Sequence, residues 1–276
     1  MSNSKPSSFV RPPEPACRNV AAESLKSAPT SNPGESALEG VQLEMLKPFT
    51  SLNALVSMGY RCWKDELTFI SEFDDALQQY RQRAQFRRDY GYVLATSEVM
   101  ERLATFLHGR GPVLDAGSGS GYLSKELVRL GVDMFAVDSR DYRVHHPDGR
   151  GYPIRTVYQL DSVDDATQHI KPEFGTVMMT WPPFNQPFAL NVAQKMLPGQ
   201  FLVYEGEMVG GCNADDAFFE LMADRCVWEP LEEFTARLND VHVVAETLHD
   251  CWAVWRRVPH PENDAVATRN LGAQMG

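Results

Sequence analysis

The chain has 276 residues, 43% of them hydrophobic, and a formal charge of −11 at pH 7. That is ample apolar material for one large domain with additions, whereas so negative a balance disfavours an extended nucleic-acid surface. No apolar run reaches bilayer-spanning length and the N-terminus lacks a hydrophobic signal core, so a cytoplasmic protein without membrane contact is expected.

Residues 1–40 are rich in Ser, Pro, Asn and Ala without hydrophobic periodicity, and read as a disordered tail. Lys5, Arg11, Arg18 and Lys26 balance Glu14, Glu23, Glu35 and Glu39 there, so the negative charge lies in residues 41–276. The first twelve residues hold no Asp or Glu, and serine recurs. This composition resembles bacterial type III secretion leaders, which makes a secreted effector the alternative to a cytoplasmic protein.

Residues 41–92 read as a helical extension. Leu43, Leu46, Leu52, Leu55 and Val56 form short apolar groups broken by Pro48. A longer helix is expected over residues 65–86, where Leu67, Ile70, Phe73, Leu77 and Tyr80 recur at three and four. Its end is basic and aromatic, from Tyr80, Arg81, Arg83 and Phe86 through Arg87, Arg88, Tyr90 and Tyr92. Two uses are open: cations complementing the helix dipole, or a lid over a site. Ser97 is a candidate N-cap, with Val99, Leu103, Phe106 and Leu107 the apolar stripe of a helix ended near Gly109.

The stretch Val113-Leu114-Asp115-Ala116-Gly117-Ser118-Gly119-Ser120-Gly121-Tyr122 reads as a buried strand, a glycine turn and a helix start. Glycines at alternate positions allow positive φ and close approach of a ligand. Their amides, and those of the helix terminus, are expected to face outward as donors. A dinucleotide fingerprint needs its third glycine where Tyr122 stands. Asp115, two residues ahead of the first glycine, suits a ligand carrying a cation, not a pyrophosphate.

A second buried strand, residues 133–138, ends on Asp138, placed to accept hydrogen bonds from ribose hydroxyls. Residues 139–153 hold Pro147, Gly149, Gly151 and Pro153 and cannot form a normal crossover helix. With Arg140, Arg143, His145 and His146, they form either a specificity loop or a shortened connection. A third strand is expected over 154–160, followed by Asp161, which can also cap a helix over 163–169.

The strand beginning at Thr176 runs into Trp181-Pro182-Pro183-Phe184. Consecutive prolines make a rigid turn at a strand's carboxyl end, where open α/β sheets place their sites. A helix (186–196), a fifth strand (201–204), a loop carrying Glu205 and Glu207, a helix (214–223) and two late strands (227–234 and 250–258) complete the pattern. The five cysteines are odd in number and form no C-x-x-C pair, and the seven histidines show no ligand spacing, so no metal site is expected.

Residues 113–138, with Asp115, Gly117, Gly119, Gly121 and Asp138, resemble motif I and the following acidic strand end of the class I S-adenosylmethionine (SAM) dependent methyltransferases. The turn at 181–184 resembles motif IV of the amino-group methyltransferases, where Asp, Asn or Ser precedes Pro-Pro and Tyr or Phe. The resemblance implies an α/β fold, a Rossmann-like seven-stranded mostly parallel sheet with helices on both faces. The extension or lid at 41–92 precedes this domain at 93–258, and a polar tail at 259–276 follows it. It implies SAM as cofactor, with Asp115 and the loop at the methionine end, Asp138 at the ribose and Asp161 on the adenine side. Trp181, Pro182, Pro183 and Phe184 are the implied catalytic acceptor pocket.

The departure is Trp181, since indole donates a hydrogen bond and accepts none. Backbone carbonyls of the turn remain as acceptors for an amine, so a nitrogen acceptor is the first expectation. A small-molecule oxygen acceptor is the second, and a SAM-binding interaction protein without turnover the third. Dehydrogenase chemistry ranks last.

Overall fold

The computed structural model describes residues 45–63, 73–140, 158–245 and 248–258. The chain divides into two compact units, Met1–Gln42 and Leu43–Gly276, and the described residues all belong to the second. The expected tails, and most of the 139–153 loop with Arg143, His145 and His146, lie outside them.

The apolar runs of the sequence become strands covered on both faces, which is why they read as near-continuous rather than alternating. They are β2 (Val113–Ala116), β3 (Met134–Val137), β4 (Thr176–Thr180) and β5 (Phe201–Glu207). With β6 (Trp228–Pro230) and β8 (Asp250–Arg257) they form a six-stranded sheet in the order β3-β2-β4-β5-β8-β6. The β3, β2, β4 and β5 strands run parallel, while β8 is antiparallel to both of its neighbours. A separate two-stranded ribbon, β1 (Arg61–Cys62) with β7 (Val243–Val244), was not anticipated from the sequence.

Successive residues alternate between two cores. Val113, Met178, Val203 and Val254 face α3 (Ser97–Leu107), α4 (Tyr122–Arg129) and α7 (Glu232–Asn239). Leu114, Val177, Leu202 and Tyr204 face α5 (Phe188–Lys195) and α6 (Asp216–Ala223). Helices on both faces of a mostly parallel sheet are as expected. The extension contributes α1 (Leu52–Ser57) and α2 (Phe73–Asp89) to the first of these cores through Leu55 and Phe86.

Several boundaries differ, each for a local reason. Thr96, not Ser97, caps α3, because its hydroxyl both accepts from Val99 N at 3.1 Å and donates to Val241 O at 2.9 Å. The late strand expected over 227–234 stops at Pro230, and Phe234 and Leu238 instead bury one face of α7. The expected helix over 163–169 is a single 3-10 turn, Ala166–Gln168, capped by Asp165.

Of the strand expected over 154–160, only 158–160 is described, and it is not in strand form. Just beyond it, Ser162 makes a parallel bridge to Val137 on the outer edge of β3. Cys226 and Cys251 are free thiols. No described helix is long and apolar enough to cross a membrane.

Candidate functional site

The strand order reverses at β2, whose sheet neighbours are β3 and β4, and the crevice at their carboxyl ends is the standard ligand position of open α/β sheets. Here β2 delivers the glycine loop. Gly117, Gly119 and Gly121 adopt φ of 77°, 58° and 74°, the left-handed region that side chains resist. Space is short as well: a Cβ on Gly121 would stand 2.9 Å from Leu160 Cδ2, and one on Gly117 3.2 Å from the Phe188 ring.

The loop amides do not face outward as expected. Gly117 N and Ser118 N both donate to Val137 O, at 2.9 and 3.0 Å. Gly119 N donates to Asp138 Oδ2 at 2.8 Å, and Gly121 N to Ser118 O at 2.9 Å. Turning these donors inward knits β2 to β3 and leaves a close-approach surface in place of an anion cradle. The amides of Gly117, Ser118, Gly119 and Gly121 are thereby spent as donors for a phosphate.

The three acids divide in role. Asp138 lines the cavity, its two oxygens accepting from Gly119 N and from Arg140 N at 2.6 Å. Each oxygen keeps a lone pair for a further donor. Asp115 lies beneath the loop, 1% exposed, with Oδ2 accepting from Ser124 Oγ at 2.6 Å, and it does not line the cavity. Burial pushes its carboxyl up to about 7, against the Ser124 hydrogen bond. Asp161 is not in the lining either: its carboxylate accepts from Ala136 N at 2.7 Å, closing the edge of β3, and it caps no helix. The acids that line that side are Asp164 and Asp165.

The crevice holds about 360 Å³, within the size range of small-molecule sites. Its roof comes from the end of the extension, where Arg87, Arg88, Tyr90 and Tyr92 line it, and from Val93 just beyond. Within this basic aromatic segment, the residues that line the cavity begin at Arg87, whereas Tyr80 is exposed and Phe86 is core.

Tyr122 is the anchor. Its ring stacks on Phe49 at 5.5 Å and meets Phe86 edge-on at 6.0 Å, and its hydroxyl donates to Val93 O. Ser120 Oγ likewise donates to Tyr90 O. The residue that breaks the dinucleotide fingerprint thus fastens the roof, and burial pushes its phenol well above the ordinary range.

On the opposite wall stands the turn after β4. Trp181 has φ 46°, an outlier for a bulky side chain, held by its N–H to Glu205 O at 2.7 Å. Its ring stacks on Tyr92 with centroids 5.4 Å apart. Trp181, Pro182 and Pro183 line the cavity, but Phe184 does not, and 56% of it is exposed. The aromatic ring present there belongs to Phe188, four residues further on and the first residue of α5. The Pro182 carbonyl, expected to be available to an amine, already accepts from Asn213 Nδ2 at 3.1 Å and Ala214 N at 3.4 Å.

Glu205 and Glu207, expected in a loop, lie inside β5. Glu207 Oε2 and Oε1 accept from Cys212 N and His249 N, tying down the following loop. Glu205 is fully buried beside Trp181. Burial pushes its carboxyl well above the carboxylate range, and the neighbouring Asp250 adds to this. An acid continuing the apolar run Phe201-Leu202-Val203-Tyr204 was the available signal.

No protein-family model matches this sequence, and no curated protein matches it. Solved structures with a similar chain path include the CcbJ methyltransferase from Streptomyces caelestis, at 15% identity over 59% of this chain and 90% of that one, with a TM-score of 0.37. An rRNA methylase from Streptococcus thermophilus matches at 14% identity over 58% and 95%, with a TM-score of 0.35. A SAM-dependent methyltransferase from Bacteroides fragilis, in complex with S-adenosyl-L-homocysteine, matches at 14% over 58% and 77%, with a TM-score of 0.35. Likenesses this distant say nothing of chemistry, which rests on the residues of the crevice.

Proposed function

We propose that this protein is a SAM-dependent methyltransferase whose cofactor lies in the crevice between the glycine loop and the 87–93 roof. One observation carries the reading: Asp138 closes β3 inside the cavity, facing a glycine loop whose amides are turned inward. That pairing suits a ribose diol at the carboxylate and an uncharged stretch of ligand on the loop. It is unsuited to a pyrophosphate.

The residues present fit the cofactor's parts. Asp138 would accept from the ribose, Asp164 and Asp165 would supply acceptors on the adenine side, and Arg87 or Arg88 would meet the carboxylate of the methionine end. Asp115 acts from below, as the buried support of the loop through Ser124. When bound, SAM supplies an already activated methyl group. The chain's own work is then to align the acceptor and exclude water, with the Tyr92–Trp181 stack and the Pro182–Pro183 turn as the walls of the entrance. A nitrogen acceptor needs no strong base and remains the first assignment.

A second reading is binding without turnover. It is favoured by the engaged Pro182 carbonyl, the outward Phe184 and the missing acceptor at Trp181.

Calorimetry with SAM and with NAD, on wild type and Asp138→Ala, tests the cofactor. SAM binding with at least a tenfold loss in the variant is expected, since hydrogen bonds to a charged group are worth about 1.5–3 kcal/mol. Equal affinity of the variant, or NAD bound in place of SAM, overturns the assignment. Incubation with methyl-labelled SAM and cell extract, sorted into protein, nucleic acid and small molecules, identifies the acceptor. SAM binding with no labelled product selects the second reading.

A further inference from the structure

Away from the crevice, on the sheet face covered by α3, α4 and α7, three buried residues converge. In the antiparallel register of β5 and β8, Glu205 pairs with Trp252 and Glu207 with Asp250. Glu205, Trp252 and Asp250 therefore share one face, with Glu205 and Asp250 as diagonal neighbours. His242, in the turn between α7 and β7, stands over them, its ring edge-on to Trp252 at 6.4 Å between centroids. Glu205 and His242 are 0% exposed and Asp250 1%. One donor atom from each lies within 4.8 Å of the other two.

Both Glu205 oxygens, both His242 nitrogens and Asp250 Oδ1 have no hydrogen-bond partner among the described residues. Buried polar atoms are almost always partnered, and a cluster of five orphans calls for an occupant. The spacing says which kind. His242 Nε2 and Asp250 Oδ2 are 3.6 Å apart, beyond hydrogen-bond length. Two donors held about 2.0–2.2 Å from one ion stand roughly 3.3–3.6 Å apart at the tetrahedral angle.

We propose that Glu205, His242 and Asp250 form a buried divalent-metal site of the zinc type, with two carboxylates and a neutral imidazole as ligands. One nitrogen and two oxygens suit such a borderline cation, and its two charges balance the two carboxylates. The rival occupant is a proton shared among the three, with Arg83 of α2 as counter-ion; its Nη1 is also buried and unpartnered. A shared proton draws its two heavy atoms within hydrogen-bond distance; the 3.6 Å separation places none between His242 and Asp250, and the test below separates a proton held between Glu205 and Asp250 from an ion. None of the three ligands lines the crevice. The ion's role is structural: it joins β5, β8 and the α7–β7 turn, and through Glu205 O to Trp181 N it steadies the acceptor wall.

The test is elemental analysis of the full chain purified without added metal, together with its unfolding temperature. Stoichiometric zinc is expected, with dipicolinate removing it and lowering the unfolding temperature by several degrees, and zinc sulfate restoring both. Glu205→Gln and Asp250→Asn should lose the zinc; because either variant can misfold, the chelation arm on wild type stands on its own. Wild type with no bound zinc, manganese or iron, and no change of unfolding temperature on adding zinc sulfate, overturns the site in favour of the shared proton. Zinc retained in full by both variants also overturns it. Neither readout uses SAM or an acceptor, so the metal site and the methyltransferase assignment can fail separately.

Discussion

The two walls of the crevice were written in the sequence with different fidelity. On the β2–β3 side, the glycine loop and Asp138 stand where local pattern placed them. On the β4 side, the Pro-Pro turn is in place but its chemistry has moved, with Phe188 in the lining where Phe184 was expected. The first wall is defined by backbone, whose needs for glycine and for an acid at a strand end are legible residue by residue. The second is defined by side chains and by a partner loop, Asn213–Ala214, that closes the Pro182 carbonyl from 31 residues away. The architecture of the first wall is local, whereas that of the second is tertiary.

The largest expected effect concerns Asp115. Its folded carboxyl is raised from 3.8 to about 7, so the folded state holds a proton that the unfolded state releases. Stability therefore falls as pH rises from about 4 to about 7 and is level above that, by up to about 4 kcal/mol. Asp115→Asn should remove this contribution, making the fall in stability between pH 5 and 8 shallower in thermal unfolding, and become the more stable protein at the alkaline end; the raised carboxyl of Glu205 leaves a residual slope of the same sign. A parallel slope in the variant breaks the claim that this acid is structural support.

Next in size is Gly121→Ala, which meets both a positive φ and Leu160. A loss of about 1–2 kcal/mol is expected in denaturant unfolding, accompanied by weaker SAM binding. Unchanged stability would mean that the loop is not held as tightly as its contacts imply.

Trp181→Asn sharpens the contrast from the other side. Asn tolerates the left-handed backbone and restores a side-chain acceptor before Pro-Pro, at the cost of the Tyr92 stack, about 0.5–1.5 kcal/mol. SAM affinity should stay within about twofold while methyl transfer to amines rises; a collapse of SAM affinity would show that the two walls are one. The smallest effect is that of Phe184→Ala. An exposed ring outside the lining should leave stability within about 0.5 kcal/mol and transfer rates unchanged, and a large loss of transfer would return it to the acceptor pocket.

What escaped the sequence did so for identifiable reasons. The spacing of Gly117, Gly119 and Gly121 gave their conformation but not the direction of their amides, which depends on where Val137 O lies. Thr96 and Ser97 are equally good caps by type, and only the position of Val241 O selects Thr96. Residues 227–234 alternate well enough for a strand, yet Pro230 cannot continue the ladder and the chain turns into α7. Asp161 looked available to a ligand or a helix, and an edge-strand amide claimed it first. Glu205 shows locally only as an acid continuing an apolar run, and nothing local joins it to His242 and Asp250, because antiparallel pairing and a turn bring the three together.

The two hydrogen bonds from Ser120 to Tyr90 and from Tyr122 to Val93 make the extension inseparable from the ligand loop. Dissecting the chain at residue 93 to obtain a minimal catalytic core would leave Tyr122 without Phe49 and Phe86, and the crevice without its roof. The extension is a wall of the site, and evolution could not have exchanged it as a module without rebuilding the loop beneath it.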